Sequence, residues 1–178
     1  MDDQTLTLFL IESMTLSFAD GIRKVEKSTI PGTSQRVYKR DGLLYLEILS
    51  GTNLRRKTGI YVMLEDPVMP VFGMDIVAEF KAGALANRSV VYTDVLRAVH
   101  NARLAGFERT RTDIAEGKPF CIFRIPDHEE PAPVGKHGVA GTFKYNETVD
   151  DNLAFFGGGE EIHFQPLHGG GRELLFRS

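Results

Sequence analysis

Apolar positions at the start of the chain recur at helical spacing. Within residues 5–18 (TLTLFLIESMTLSF), Leu6, Phe9, Leu10 and Met14 fall three and four apart, which predicts a helix. Leu8, Ile11 and Leu16 widen the apolar face, so much of this helix should be buried. Asp2 or Asp3 can cap its start, and Ala19, Asp20 and Gly21 supply the stop. The period then shortens to that of strands. Residues 36–49 (RVYKRDGLLYLEIL) read as a hairpin turning at Arg40, Asp41 and Gly42, and residues 59–64 (GIYVML) continue the sheet. Residues 65–70 (EDPVMP) interrupt it, and residues 71–80 open another extended segment.

A second helical stripe follows. Val95, Leu96, Ala98, Val99 and Ala102 share one face of residues 93–107, with Thr93 or Asp94 as cap and Gly106 as the expected end. Residues 107–126 then read as two strands joined at Glu116 and Gly117, and the Pro- and Gly-rich stretch 127–141 as a loop. Residues 142–149, 160–167 and 172–178 are further strands, the last of them a candidate edge. The pattern predicts an α+β protein, a curved and mostly antiparallel sheet or pair of sheets carrying two main helices. A single domain over residues 1–178 is expected, with two β-rich halves, about 30–80 and 107–178, echoing one another. The echo matches Gly32-Thr33 with Gly141-Thr142, and Leu54 and Gly59 with Leu153 and Gly158.

Composition narrows the function classes. The 178 residues are 42% hydrophobic and 25% charged, with a net charge of −3, as in globular proteins, and no apolar run approaches the length of a membrane span. Acidic residues at positions 2 and 3 stand where a signal peptide carries positive charge, so a cytoplasmic location is expected. The slight negative charge argues against nucleic acid and anionic membranes as partners. One cysteine, Cys121, cannot form an internal disulfide, and its apolar neighbours mark it as a small core residue rather than a nucleophile.

Candidate chemistry gathers near the C-terminus, in residues 155–174 (FFGGGEEIHFQPLHGGGREL). The two glycine triplets lead into strand-like sequence rather than a helix, which makes them turns or bulges before phosphate cradles. His168 with its three glycines resembles an oxyanion-hole segment, yet no G-x-S-x-G nucleophile elbow accompanies it. Glu161 and His163 fall on one face of a strand, two residues apart, and with Glu160 and His168 they form the candidate acid, base or ligand set. Their spacing names no metal and no cofactor.

Several stretches together resemble a bacterial family of unknown function whose members occur alone or behind an XRE-type helix-turn-helix in transcription regulators. The likeness lies in the opening helix, a Pro-Gly-led hairpin with Tyr45 and Glu47 in a Tyr-x-acid motif, the strand at Gly59, and a late G-x-E-x-I carried by Gly158, Glu160 and Ile162. The first half departs from the motif, since Ile60, Tyr61 and Val62 follow Gly59 with no glutamate. The resemblance implies a ligand-sensing or partner-binding module and supplies no catalytic residues. The expected function is therefore a binding module for a small molecule or partner. The alternative is a small hydrolase or isomerase using the Glu/His set with or without a metal, and a homodimer formed through the last strand is a third expectation.

Overall fold

The computed structural model describes residues 1–18, 25–27, 30–121, 125, 127–133, 139–149 and 158–178. The chain forms two compact units, Met1–Val77 and Ala78–Ser178.

In the first unit, α1 (Asp3–Phe18) precedes β1 (Val25–Lys27), β2 (Thr33–Arg40), β3 (Leu43–Gly51), β4 (Arg55–Glu65) and the start of β5 (Val68–Phe80). The Asp2 carboxylate accepts the Thr5 N–H at 2.7 Å, so the predicted cap is formed; the predicted stop at residues 19–21 lies outside the described residues. The strands β1 to β4 form an antiparallel meander in chain order. Asp41 and Gly42, both at positive φ, make the two-residue turn between β2 and β3, where an Asp-Gly pair matches the twist of the strands. Phe9 of α1 stacks on Tyr38 of β2, and Phe9, Leu10, Met14, Leu43, Tyr45, Ile60 and Val62 are buried.

The second unit starts with the end of β5 and continues through α2 (Ala82–Arg88), α3 (Tyr92–Ala115), β6 (His128–Pro131), β7 (Gly141–Val149), β8 (Gly158–Pro166) and β9 (Glu173–Arg177). The strands β6 to β9 form a second antiparallel meander. Its core joins Val95, Ala98, Val99 and Ala102 of α3 to Phe143, Tyr145, Ile162, Phe164, Leu175 and Phe176 of the strands.

The α+β architecture expected from the pattern is present, and three local readings are corrected. The helix α3 does not end at Gly106 but runs nine residues further, to Ala115. Its buried stripe continues through Gly106, Phe107 and Thr110, and the residues read as a strand from 107 onward complete the helix. Gly106 serves packing instead of termination: a Cβ there would lie 2.8 Å from Cγ1 of Ile125. The real stop is Gly117 at φ +68, whose N–H reaches the Ile114 carbonyl while that of Lys118 reaches Asp113, a Schellman closure. The short helix α2 was not legible in residues 82–88, and the loop reading of 127–141 misses β6. The last strand is no edge, because β9 pairs with β8 along one side and with Glu79 and Phe80 of β5 on the other.

The two units share an order of elements, a helix followed by an antiparallel meander. The β3–β4 hairpin of the first and the β7–β8 hairpin of the second also share a register. Leu43, Tyr45 and Glu47 face Leu64, Val62 and Ile60; Phe143, Tyr145 and Glu147 face Phe164, Ile162 and Glu160. Each residue of the second set stands one hundred positions after its counterpart in the first. The match therefore sets β3 against β7 and Gly59 against Gly159, whereas the echo read from the sequence set β2 against β7.

Candidate functional site

Alternation along β8 divides the four residues singled out in the sequence. Glu160, Ile162 and Phe164 point toward α3; Glu161 and His163 point to the opposite, outer face of the sheet. Glu161 and His163 do meet, Oε2 to Nε2 at 2.8 Å. His168 lies exposed in the turn between β8 and β9, where Gly169 and Gly170 adopt positive φ. These glycines form a turn, as read from the sequence; Gly157 lies outside the described residues. Among the described residues no three His, Cys, Asp or Glu side chains converge as a metal ion would require. Cys121 is half-buried, and its carbonyl accepts a hydrogen bond from Thr110 of α3.

Glu160 is instead the centre of a buried polar cluster. Arg103 of α3 reaches it with two guanidinium nitrogens, Nε at 2.7 Å from Oε1 and Nη2 on Oε2, and the two side chains are only 13% and 12% exposed. The Tyr145 hydroxyl donates to Oε1 at 2.9 Å, and the Ser178 hydroxyl donates to Oε2 at 2.8 Å. Burial alone would raise the Glu160 carboxyl, but the charge and hydrogen bonds of Arg103 hold it below its ordinary range. Burial and the two neighbouring carboxylates push the Tyr145 phenol far above its ordinary range, so it keeps its proton and donates it to Glu160.

Glu147 stands opposite Glu160 on the same face. Its Oε2 accepts the Ile125 N–H at 2.5 Å. Burial pushes this carboxyl up to about 7; the Ile125 N–H and Arg103 pull against the rise, and the Glu160 charge adds to it. The two facing carboxyls are thus pushed in opposite directions, Glu147 up and Glu160 down.

The first unit has a counterpart with different chemistry. Glu47 is 6% exposed and accepts from Tyr45 at 3.2 Å and from Ser17 of α1. Its cation, Arg36, comes from the neighbouring strand β2 and not from the helix; Nη1 lies 3.5 Å from Glu47 and 2.7 Å from the Ser17 hydroxyl. The position facing Glu47 is Ile60. The Tyr-x-Glu motif noticed at Tyr45 and Glu47 therefore recurs at Tyr145 and Glu147, a signal that was present in the sequence. Only the second unit places a second glutamate opposite it.

The outer faces of the two hairpins diverge more sharply. In the first unit Leu44, Leu46, Tyr61 and Met63 occupy the face turned away from α1, all half-buried. The matching residues of the second unit are Lys144, Asn146, Glu161 and His163. The Tyr61 ring lies along the sheet across two strand glycines. A Cβ on Gly59 would come within 2.8 Å of that ring, and one on Gly73 within 3.1 Å. The Tyr61 hydroxyl donates to Asp75 at 3.2 Å, and Lys57 pairs with the same carboxylate at 2.9 Å. Beyond Asp75 on this face, Val77 is 49% exposed.

Among the described residues no helix is long and apolar enough to cross a membrane. Comparison of the chain with protein-family models, with characterised proteins and with solved structures finds no match.

Proposed function

We propose that the protein is a cytoplasmic, sensor-like binding module that takes a small molecule with a flat apolar body on the outer face of the first unit's sheet. One observation carries this reading. Four positions that are apolar on one hairpin, Leu44, Leu46, Tyr61 and Met63, are polar or charged at the matching places of the other. A meander of this design therefore tolerates Lys, Asn, Glu and His there, and packing does not require the apolar set. Apolar side chains left partly exposed on a strand face, where packing does not demand them, are a feature of binding surfaces. The Tyr61 ring, laid flat over Gly59 and Gly73 and tied to Asp75, is fixed before any ligand arrives, which lowers the entropy lost on binding. A sensing role also accords with the resemblance of the chain to a family found alone or behind helix-turn-helix domains.

The test exchanges the outer face for its counterpart. The double substitution Leu46→Asn with Met63→His copies residues that the second unit already carries at those positions, so the fold should persist. Anilinonaphthalene sulfonate, a flat apolar probe, should bind the native protein and lose most of its bound fluorescence with the variant, at unchanged far-ultraviolet circular dichroism. Equal dye binding by both proteins would count against the reading. A native dimer that becomes a monomer on substitution, with no dye bound by either form, would replace it with a contact between copies.

A further inference from the structure

The polar cluster of the second unit joins three elements at one point. Ile125, buried in the core, packs against the backbone gap left by Gly106 of α3, and its N–H is held by Glu147 of β7. Glu147 faces Glu160 of β8 across the pair of strands. Arg103 is committed to Glu160 through two nitrogens, and Tyr145 and Ser178 supply the remaining donors to that carboxylate. In the matching place of the first unit, Glu47 faces Ile60, and its own Arg36 and Ser17 lie within reach. The second unit has thus gained a facing negative charge at Glu160 and directed its cation there.

We propose that Glu147 and Glu160 form a proton-operated latch: with Glu147 protonated the chain at Ile125 is held between α3 and β7, and loss of that proton loosens it. Ionisation places two negative charges face to face on one side of the hairpin in a half-buried setting, and the relief is to turn Glu147 outward, which gives up the Ile125 N–H. The charged and titratable groups that act on Glu147 are Arg103 from α3, Glu160 from β8 and Tyr145 on its own strand; on β6, His128 occupies the neighbouring register position. His128 stands opposite Tyr145 and lies 3.3 Å from Glu130. Because the folded carboxyl titrates above its ordinary value of 4.5, near 7, the stabilisation is complete below about 4.5 and is lost as the pH rises through about 7.

The direct readout is amide hydrogen exchange at Ile125, with rates divided by the intrinsic rate at each pH. Protection in the native protein should fall about tenfold between about pH 6 and pH 8.5, the size of one unit of pKa difference. In Glu147→Gln, which keeps an acceptor for the N–H and cannot ionise, protection should not change with pH. A second readout is the carboxyl carbon resonance of Glu147, which should titrate near pH 7 in the native protein and move down by at least one unit in Glu160→Gln, where Arg103 becomes its partner. Protection independent of pH in the native protein, an equal fall in Glu147→Gln, or a Glu147 resonance titrating in the ordinary carboxylate range would each overturn the latch.

Discussion

At the scale of single residues, the cluster around Glu160 separates structural polarity from chemistry. A carboxylate that accepts from Arg103, Tyr145 and Ser178 has its lone pairs engaged, and its neighbours fix it in the ionised form. Removing one member of such a buried pair leaves an uncompensated charge, which costs about 3–5 kcal/mol, whereas replacing both with apolar groups of similar volume is close to neutral. Arg103→Met should therefore lower the urea midpoint strongly, and Arg103→Met with Glu160→Leu should recover most of the loss. A double variant as unstable as the single one would show that hydrogen bonds to Tyr145 and Ser178, and not the ion pair, hold this site together. Glu160 was legible in the sequence as a chemical residue, but its partner was not. Arg103 lies fifty-seven positions away on a helix, and no local pattern announces a pair that only helix-on-sheet packing creates.

At the scale of elements, periodicity located α1, the β2–β3 hairpin and the strands β4, β7 and β8 because each carries its own repeat and turn residues. It failed where a local rule and a packing demand pointed apart. Gly106 satisfies the statistics of a helix end, yet the structure uses its missing side chain to seat Ile125 against α3. Gly106→Ala tests this. On helix propensity alone the change would stabilise by about 1 kcal/mol, but the contacts at 2.8 Å to Cγ1 and 3.3 Å to Cα of Ile125 predict overpacking and a loss of about 1–3 kcal/mol. A rise in stability on thermal or urea unfolding would show that the missing side chain of Gly106 is not what seats Ile125 against α3. The strand β6 and the short helix α2 escaped for a different reason. Elements of four and seven residues hold too few positions for a period to emerge, and tertiary contacts such as Arg88 with Glu173 at 2.5 Å fix α2 in place.

At the scale of the whole molecule, the informative comparison is the chain with itself. Two helix-led meanders share a register across Tyr45, Glu47, Ile60 and Val62 in one and Tyr145, Glu147, Glu160 and Ile162 in the other. Positions that agree, the two Tyr-x-Glu motifs above all, describe what the fold needs. Positions that differ show what each unit has been free to change: the inner pair Ile60 and Glu160, and the outer sets led by Leu46 and Asn146. The sequence held the evidence for this, since the matched residues stand at a constant spacing. Glycines and aromatics common to all hairpins concealed it by suggesting another alignment. The two proposals follow these differences, a proton-operated latch in the second unit and an apolar binding face in the first.

The most direct test of that division maps where a flat apolar ligand lands. Backbone and methyl resonances would be followed while anilinonaphthalene sulfonate is added to the native protein. Saturable shifts confined to Leu44, Leu46, Tyr61, Met63 and Val77 are expected, with Lys144, Asn146, Glu161 and His163 unmoved. Shifts centred on the outer face of β7 and β8, or on the cluster of Arg103 and Glu147, would contradict it.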